Sequence, residues 1–251
     1  MDDAQLLRYS RHVLLPELGV DAQRRFAGAH ALIVGIGGLG NPAAQFLAGA
    51  GVGTLTLVDA DHVDLTNLQR QILFRTDDIG RPKVDAAAAR IAAINPEVRV
   101  ERIAQRVGAA ELAPLAAAAD VVLDCSDNFA TRHAINRACV AAKKPLISGA
   151  AIRFDGQIAV FDARDGANPC YHCLFGDGDE FEETRCAVMG VFAPLVGIVG
   201  ATQAAEALKL IAPAGRSLAG RLLLIDALTM EWREVRMLKD PACPVCGTAA
   251  P

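Results

Sequence analysis

One turn constrains this chain more than any other feature: residues 29–35 (AHALIVG) read as a short buried strand that runs straight into Gly35-Ile36-Gly37-Gly38-Leu39-Gly40, then into a helical pattern over 39–50. Glycines let the backbone turn sharply and let phosphate oxygens approach main-chain N–H groups, while the helix N-terminus adds partial positive charge. Asp59 closes the next apolar run, 54–59. It follows the glycines by about 20 residues, where an acid in a dinucleotide-type fold accepts hydrogen bonds from ribose hydroxyls. These features point to a bound nucleotide. The structural alternative is a glycine turn that serves only tight packing of helix on strand.

The same alternation continues through the first 150 residues. Runs rich in Val, Ile and Leu at 98–103, 120–124 and 145–149 read as strands, and helical patterns fill 83–94, 109–118 and 129–142. That order predicts an α/β fold with a Rossmann-like, doubly wound, mostly parallel sheet. Beyond Gly149, strands at 156–161, 221–225 and 232–237 and a long helix over 191–211 form a strand-rich C-terminal extension of the same sheet. The acidic, glycine-bearing stretch 163–183 reads as a mobile loop. Residues 187–205 reach membrane-spanning length, but Gly190, Pro194, Gly197, Gly200, Thr202 and Gln203 interrupt them, so they read as a buried helix.

A formal net charge of −4 gives no electrostatic reason to expect nucleic acid or anionic lipid as the main partner. The N-terminus carries acids where a signal peptide needs positive charge, which predicts a cytoplasmic protein without a membrane segment. In that compartment seven cysteines suggest metal binding or catalysis rather than disulfides. Cys170-Tyr171-His172-Cys173 and Cys243-Pro244-Val245-Cys246 are two C-x-x-C pairs. Together they offer a closed, tetrahedral Zn²⁺ shell of the structural kind, with free thiols or a redox pair as alternatives. Cys125 and Cys139 fall in strand and helix interiors, where a small buried residue is the ordinary explanation. Cys186 follows the acidic stretch: Arg185 would lower its pKa and the surrounding acids would raise it, so an inert and a covalent role both stay open.

Two cations, Arg70 and Lys83, follow the ribose acid. Hydride transfer develops no phosphate charge and has little use for them. Displacement at an α-phosphorus builds negative charge that Arg, Lys and a metal ion stabilise. Asp127 follows the fourth strand at the carboxyl edge of the sheet, where its carboxylate can reach Mg²⁺ on the phosphates. Alternatively it caps the helix that begins at Asn128 or Phe129. An NAD-dependent oxidoreductase and a non-catalytic binding module are the competing classes.

GIGGLG, Asp59, TNLQRQ, Arg81-Pro82-Lys83, DCSDN and SGAAIRFDGQIAVF, with RYSRH near the start, resemble the MoeB/ThiF/HesA adenylyltransferases over about residues 5–247. The resemblance implies one adenylyltransferase domain over 1–251: a helical arm (1–28), a nucleotide-binding core (29–150) and a carrier-binding, zinc-bearing extension (151–251). It implies ATP and Mg²⁺, and a homodimer in which Arg11 reaches the partner's site. Gly35, Gly37, Gly38, Gly40 and Asp59 would hold the nucleotide, with Thr66, Asn67, Leu68, Gln69 and Arg70 lining its phosphate and ribose side. Arg70 and Lys83 would stabilise the transferring phosphate, Asp127 would bind Mg²⁺, Asn128 would contact the nucleotide, and in some relatives a cysteine at the position of Cys186 forms a thioester or persulfide. The implied substrate is the C-terminal glycine carboxylate of a small ubiquitin-like sulfur carrier ending in Gly-Gly. SGAAIRFDGQI and DALTM lean toward the molybdopterin-synthase branch, and Asn41-Pro42-Ala43 toward the thiamine branch.

Overall fold

In the computed structural model, which describes residues 1–176 and 189–247, eight strands form one sheet. Helices α1 (Asp3–Arg8), α2 (Ser10–Val13) and α3 (Gly19–Gly28) lead into β1 (His30–Val34), α4 (Gly40–Gly49), β2 (Thr54–Val58), α5 (Lys83–Ile94) and β3 (Arg99–Ile103). The chain continues through α6 (Ala109–Ala118), β4 (Val121–Asp124), α7 (Phe129–Ala142), β5 (Pro145–Ile152), β6 (Asp155–Asp162) and α8 (Tyr171–Leu174). Helix α9 (Ala193–Ile211) and strands β7 (Arg221–Asp226) and β8 (Glu231–Arg236) complete it.

The strand order is β3-β2-β1-β4-β5-β6-β7-β8. The first five strands pair in parallel, and β6, β7 and β8 add antiparallel strands at one edge. The expected strand-rich extension is thus part of the one sheet. Strand β5 runs to Ile152, past the expected end at Gly149, because β6 pairs with it as far as Ile152↔Asp155. The small residues Gly149, Ala150 and Ala151 carry no strand signature of their own; the partner strand supplies it. Cys186 and residues 177–183 of the expected loop lie outside the described residues.

Successive side chains of a strand point to opposite faces, and both faces of this sheet are covered. Ala31 and Ile33 of β1 join Leu47, Leu55, Leu57, Ile91 and Val199 in one core layer. Leu32 and Val34 join Leu112, Val122, Ile135, Phe161 and Tyr171 in the other. Helix α9 is apolar and long enough to cross a membrane by length and composition. In this fold it buries Leu195, Val199, Gly200, Gln203 and Ala207 and packs on α4 and β5.

Gly200 brings α9 against the glycine turn. A Cβ there would lie 2.2 Å from Leu39 O and 2.6 Å from Pro42 Cγ. Overpacking of this kind costs about 1–3 kcal/mol, and in a chain of this size each kcal/mol lowers Tm by about 2–4 °C. We predict that Gly200→Ala lowers the calorimetric Tm by several degrees; an unchanged Tm contradicts the packing.

Candidate nucleotide site and cysteine cluster

The glycine turn sits at the carboxyl ends of the central parallel strands, between β1 and α4. Gly35 takes a φ of 92°, and a Cβ on it would lie 2.6 Å from Cys125 O, so the turn tolerates no side chain there. Asp59, half-buried just beyond β2, accepts from the Ile36 N–H at 2.7 Å with one carboxylate oxygen and from the Asp61 N–H at 2.8 Å with the other. Burial pushes the Asp59 carboxyl above its ordinary pKa, against the opposing pull of Lys83 and these two N–H groups. Asp59 is therefore strapped to the turn itself.

Asn41, which the sequence presents as part of the Asn41-Pro42-Ala43 run, is fully buried. Its amide donates to Ile36 O at 2.9 Å and accepts from the Leu73 N–H at 2.9 Å, which ties the turn to the segment carrying Arg70. Gln71, the last residue of the TNLQRQ motif, is buried next to Gly37, and its Oε1 has no hydrogen-bond partner among the described residues.

Between β2 and α5 a short helical turn, Leu65–Asn67, begins the TNLQR segment. Asp64 caps it, accepting from the Thr66 N–H at 2.8 Å and the Thr66 hydroxyl at 2.6 Å. The guanidinium of Arg70 donates to Thr66 O at 3.0 Å. Leu68 packs on the core and Gln69 is exposed. Lys83, first residue of α5, is buried and donates to Asp61 at 2.8 Å. Asp61 is a further residue that the sequence reading did not single out.

Asp127 lies three residues past β4 and is exposed. It does not cap α7; Asn128 does, accepting from the Thr131 N–H at 2.8 Å. The side-chain carbonyl of Asn128, expected among the nucleotide-binding residues, is thus engaged by the helix. Below this loop, buried Asp124 accepts from Ser126 and Ser148 hydroxyls at 2.6 and 2.8 Å, and Arg132 donates to Ser126 O at 2.8 Å. Gln203 of α9 donates to Asp124 O and Ile147 O. Cys125 follows β4 instead of lying within it, and burial raises its thiol pKa, as it does for Cys139.

Arg11 is not brought to the turn within its own chain. It is exposed on α2 and lines a hollow of about 150 Å³ with Arg8, Tyr9, His12 and Gly49. Gly49 ends α4, at the opposite end of that helix from the glycine turn.

The four cysteines of the two C-x-x-C pairs converge. Sγ–Sγ distances are 3.7 Å for Cys170–Cys243, 4.0 Å for Cys170–Cys173 and 3.4 Å for Cys173–Cys246, and all four sulfurs lie within 4.8 Å of one another. Zinc–thiolate bonds of about 2.3 Å in a tetrahedron require sulfur–sulfur edges of about 3.8 Å, so the donor set fits that ion. Burial pushes the Cys243 thiol up, but main-chain N–H groups of Cys246 and Val245 outweigh it and bring its pKa down to about 7. Asn136 of α7 donates to Cys170 Sγ at 3.5 Å and accepts from the Tyr171 N–H at 3.0 Å, which joins the cluster to the body of the fold.

A phosphate-type glycine turn at the carboxyl edge of a doubly wound sheet, braced by a ribose-type acid, defines a nucleotide-binding α/β protein. The ThiF family model matches residues 9–245, and the chain belongs to that family. It is 45% identical over 250 residues, 98% of each chain, to the molybdopterin-synthase adenylyltransferase of Escherichia coli K12. It is 46% identical over 247 residues to the sulfur carrier protein ThiS adenylyltransferase of the same organism, covering 98% of this chain and 97% of that one. A crystal structure of E. coli MccB with ATP superposes with a TM-score of 0.84 at 27% identity, covering 96% of this chain and 75% of that one.

Asp78 braces the segment that leads to Lys83. Its buried carboxylate accepts from Arg81 at 2.7 Å, Arg90 at 3.2 Å and the Arg75 N–H at 3.0 Å. Burial alone would raise its pKa, yet these donors hold it below the ordinary carboxylate range. The stabilisation is therefore present at neutral pH and lost as pH falls through that lowered value. We predict that Asp78→Asn costs about 2 kcal/mol at pH 7 and loses less than the parent on acidification, read from urea midpoints. Parallel pH profiles would contradict this.

Proposed function

We propose that this chain is an adenylyltransferase that uses ATP to activate the C-terminal glycine carboxylate of a small ubiquitin-like sulfur carrier, the small subunit of molybdopterin synthase, as an acyl-adenylate. The observation that carries the reading is the strap between Asp59 and the Ile36 N–H, with the Lys83 side chain beside it, in a member of the ThiF family. A dehydrogenase would need the glycines and the acid but not Arg70 and Lys83.

In this reading residues 1–251 act as one adenylyltransferase domain. The glycine turn takes phosphate, Asp59 takes ribose hydroxyls, and residues 66–70 line the nucleotide. The carrier carboxylate is already ionised at pH 7, so no general base is needed. Its oxygen bonds to the α-phosphorus, the bond from that phosphorus to the bridging oxygen breaks, and pyrophosphate leaves with the electron pair. Arg70 and Lys83 stabilise charge on the equatorial and leaving oxygens, and positioning supplies much of the rest. The exposed carboxylate of Asp127 is a hard oxygen donor of the kind Mg²⁺ takes, and that ion, when bound, neutralises phosphate charge. The four cysteines hold Zn²⁺ as a structural clip. The remote place of Arg11, with Leu7, Leu14 and Phe46 exposed on the arm and α4, supports a homodimer whose subunits exchange Arg11. In this reading the protein works in the cytoplasm.

The near-equal likeness to the ThiS adenylyltransferase keeps the thiamine-pathway carrier as a second substrate reading. ATP–pyrophosphate exchange, run in parallel with each carrier, separates the two. Exchange that depends on the molybdopterin-synthase subunit is expected, and none with either carrier contradicts the proposal. Asp127→Ala should abolish exchange while leaving the circular dichroism spectrum intact, because it removes an exposed carboxylate and no core contact; retained exchange refutes the metal role. Cys173→Ala should release zinc by elemental analysis and lower Tm. A purified parent protein without zinc would end that assignment.

A further inference from the structure

The ammonium of Lys83 is already occupied. Its Nζ lies 2.8 Å from Asp61 Oδ2, and the two side chains differ sharply in exposure, 7% for Lys83 and 63% for Asp61. A charge buried this far requires a counter-ion. Among the described residues Asp61 is its ion-pair partner. A phosphate that reaches Nζ must therefore meet a carboxylate seated on the same group.

The side chain of Asp61 is separable from its backbone. The Asp61 N–H donates to Asp59 Oδ1 at 2.8 Å, and the Lys83 N–H donates to Asp61 O at 2.9 Å. These bonds set the positions of Asp59 and of the start of α5 whatever residue stands at 61. What the carboxylate adds is charge on Lys83, and being exposed it can swing into water when another anion takes its place.

We propose that Asp61 is an exchangeable counter-ion that holds Lys83 until a nucleotide phosphate displaces it, and so weakens the hold of the site on both ATP and pyrophosphate. The inference rests on the reading that Lys83 engages phosphate. Its functional sense follows from the reaction: a cation that grips the phosphates of ATP also grips the leaving pyrophosphate, and binding both equally well does not speed the chemical step. A competing carboxylate moderates that grip and neutralises the buried ammonium between turnovers.

The test is isothermal titration of ATP and of inorganic pyrophosphate, each with Mg²⁺, into the parent, Asp61→Ala, Lys83→Met and the double variant. Loss of a half-exposed competing ion pair should tighten both ligands by about fivefold in Asp61→Ala. Lys83→Met should bind both more weakly, and in its background Asp61→Ala should have no effect. A purely structural or metal-holding role for Asp61 predicts the opposite sign, weaker binding in Asp61→Ala, and that result, or unchanged binding, overturns the inference alone. Parent-like binding in Lys83→Met overturns both the inference and the phosphate role of Lys83. Asp61→Asn, which keeps the side-chain volume, carries the comparison if the alanine variant does not fold, with the same sign expected.

Discussion

Close backbone approach at the glycine turn is the constraint on which the remaining geometry depends. A Cβ on Gly40 would fall 2.0 Å from Gly35 O, and one on Gly200 would fall 2.2 Å from Leu39 O. The turn, the start of α4 and the middle of α9 therefore meet at glycines, with the Pro42 and Val196 side chains packed beside the contact. That contact fixes where the main-chain N–H groups of the turn point. It also places α9 so that Gln203 supports the loop bearing Asp127 through Asp124 O and Ile147 O. Asp59 then locks the second strand to the turn through the Ile36 N–H. The nucleotide site is a consequence of packing as much as of the residues that line it.

The elements that carry this arrangement were legible because their signals are local. Helices Lys83–Ile94, Ala109–Ala118 and Phe129–Ala142 fall where the apolar periodicity placed them, and the central strands β1, β2 and β4 are rich in Val, Leu and Ile, as burial on both faces demands, while the edge strand β3 (RVERI) is only partly buried. The cysteine spacing was legible for the same reason, since two C-x-x-C turns each present two sulfurs together. The end of β5 was not, because Gly149, Ala150 and Ala151 become strand only through pairing with β6. The bracing roles of Asn41, Asp61, Gln71 and Gln203 were not legible because they are contacts between segments far apart in sequence. The only trace of such a role in a sequence is a polar residue where an apolar one would be ordinary. The cap on α7 went to Asn128, whose side chain reaches the Thr131 N–H, so Asp127 is left exposed at the carboxyl edge.

The cysteine cluster works at longer range. Cys170 and Cys243 are 73 residues apart in the chain, and their sulfurs are 3.7 Å apart in the fold. A clip across so long a loop removes much conformational freedom from the unfolded chain. It also anchors the segment after β8, an edge strand whose exposed residues include charged Glu231, Arg233, Glu234 and Arg236, a composition that discourages pairing with another chain. Through Asn136 the same cluster bears on α7, the helix that begins just after Asp127. The cysteine cluster and the loop bearing Asp127 thus share one helix, each at a different position along it.

The central claim is that the chain joins AMP to a carrier carboxylate, and intact-mass spectrometry of the carrier tests it most directly. The molybdopterin-synthase subunit, incubated with this protein, ATP and Mg²⁺, should gain the mass of one adenylyl group at its C-terminus, and a carrier whose terminal carboxylate is amidated should gain none. A carrier that stays unmodified while ATP is cleaved to ADP and phosphate would contradict the account.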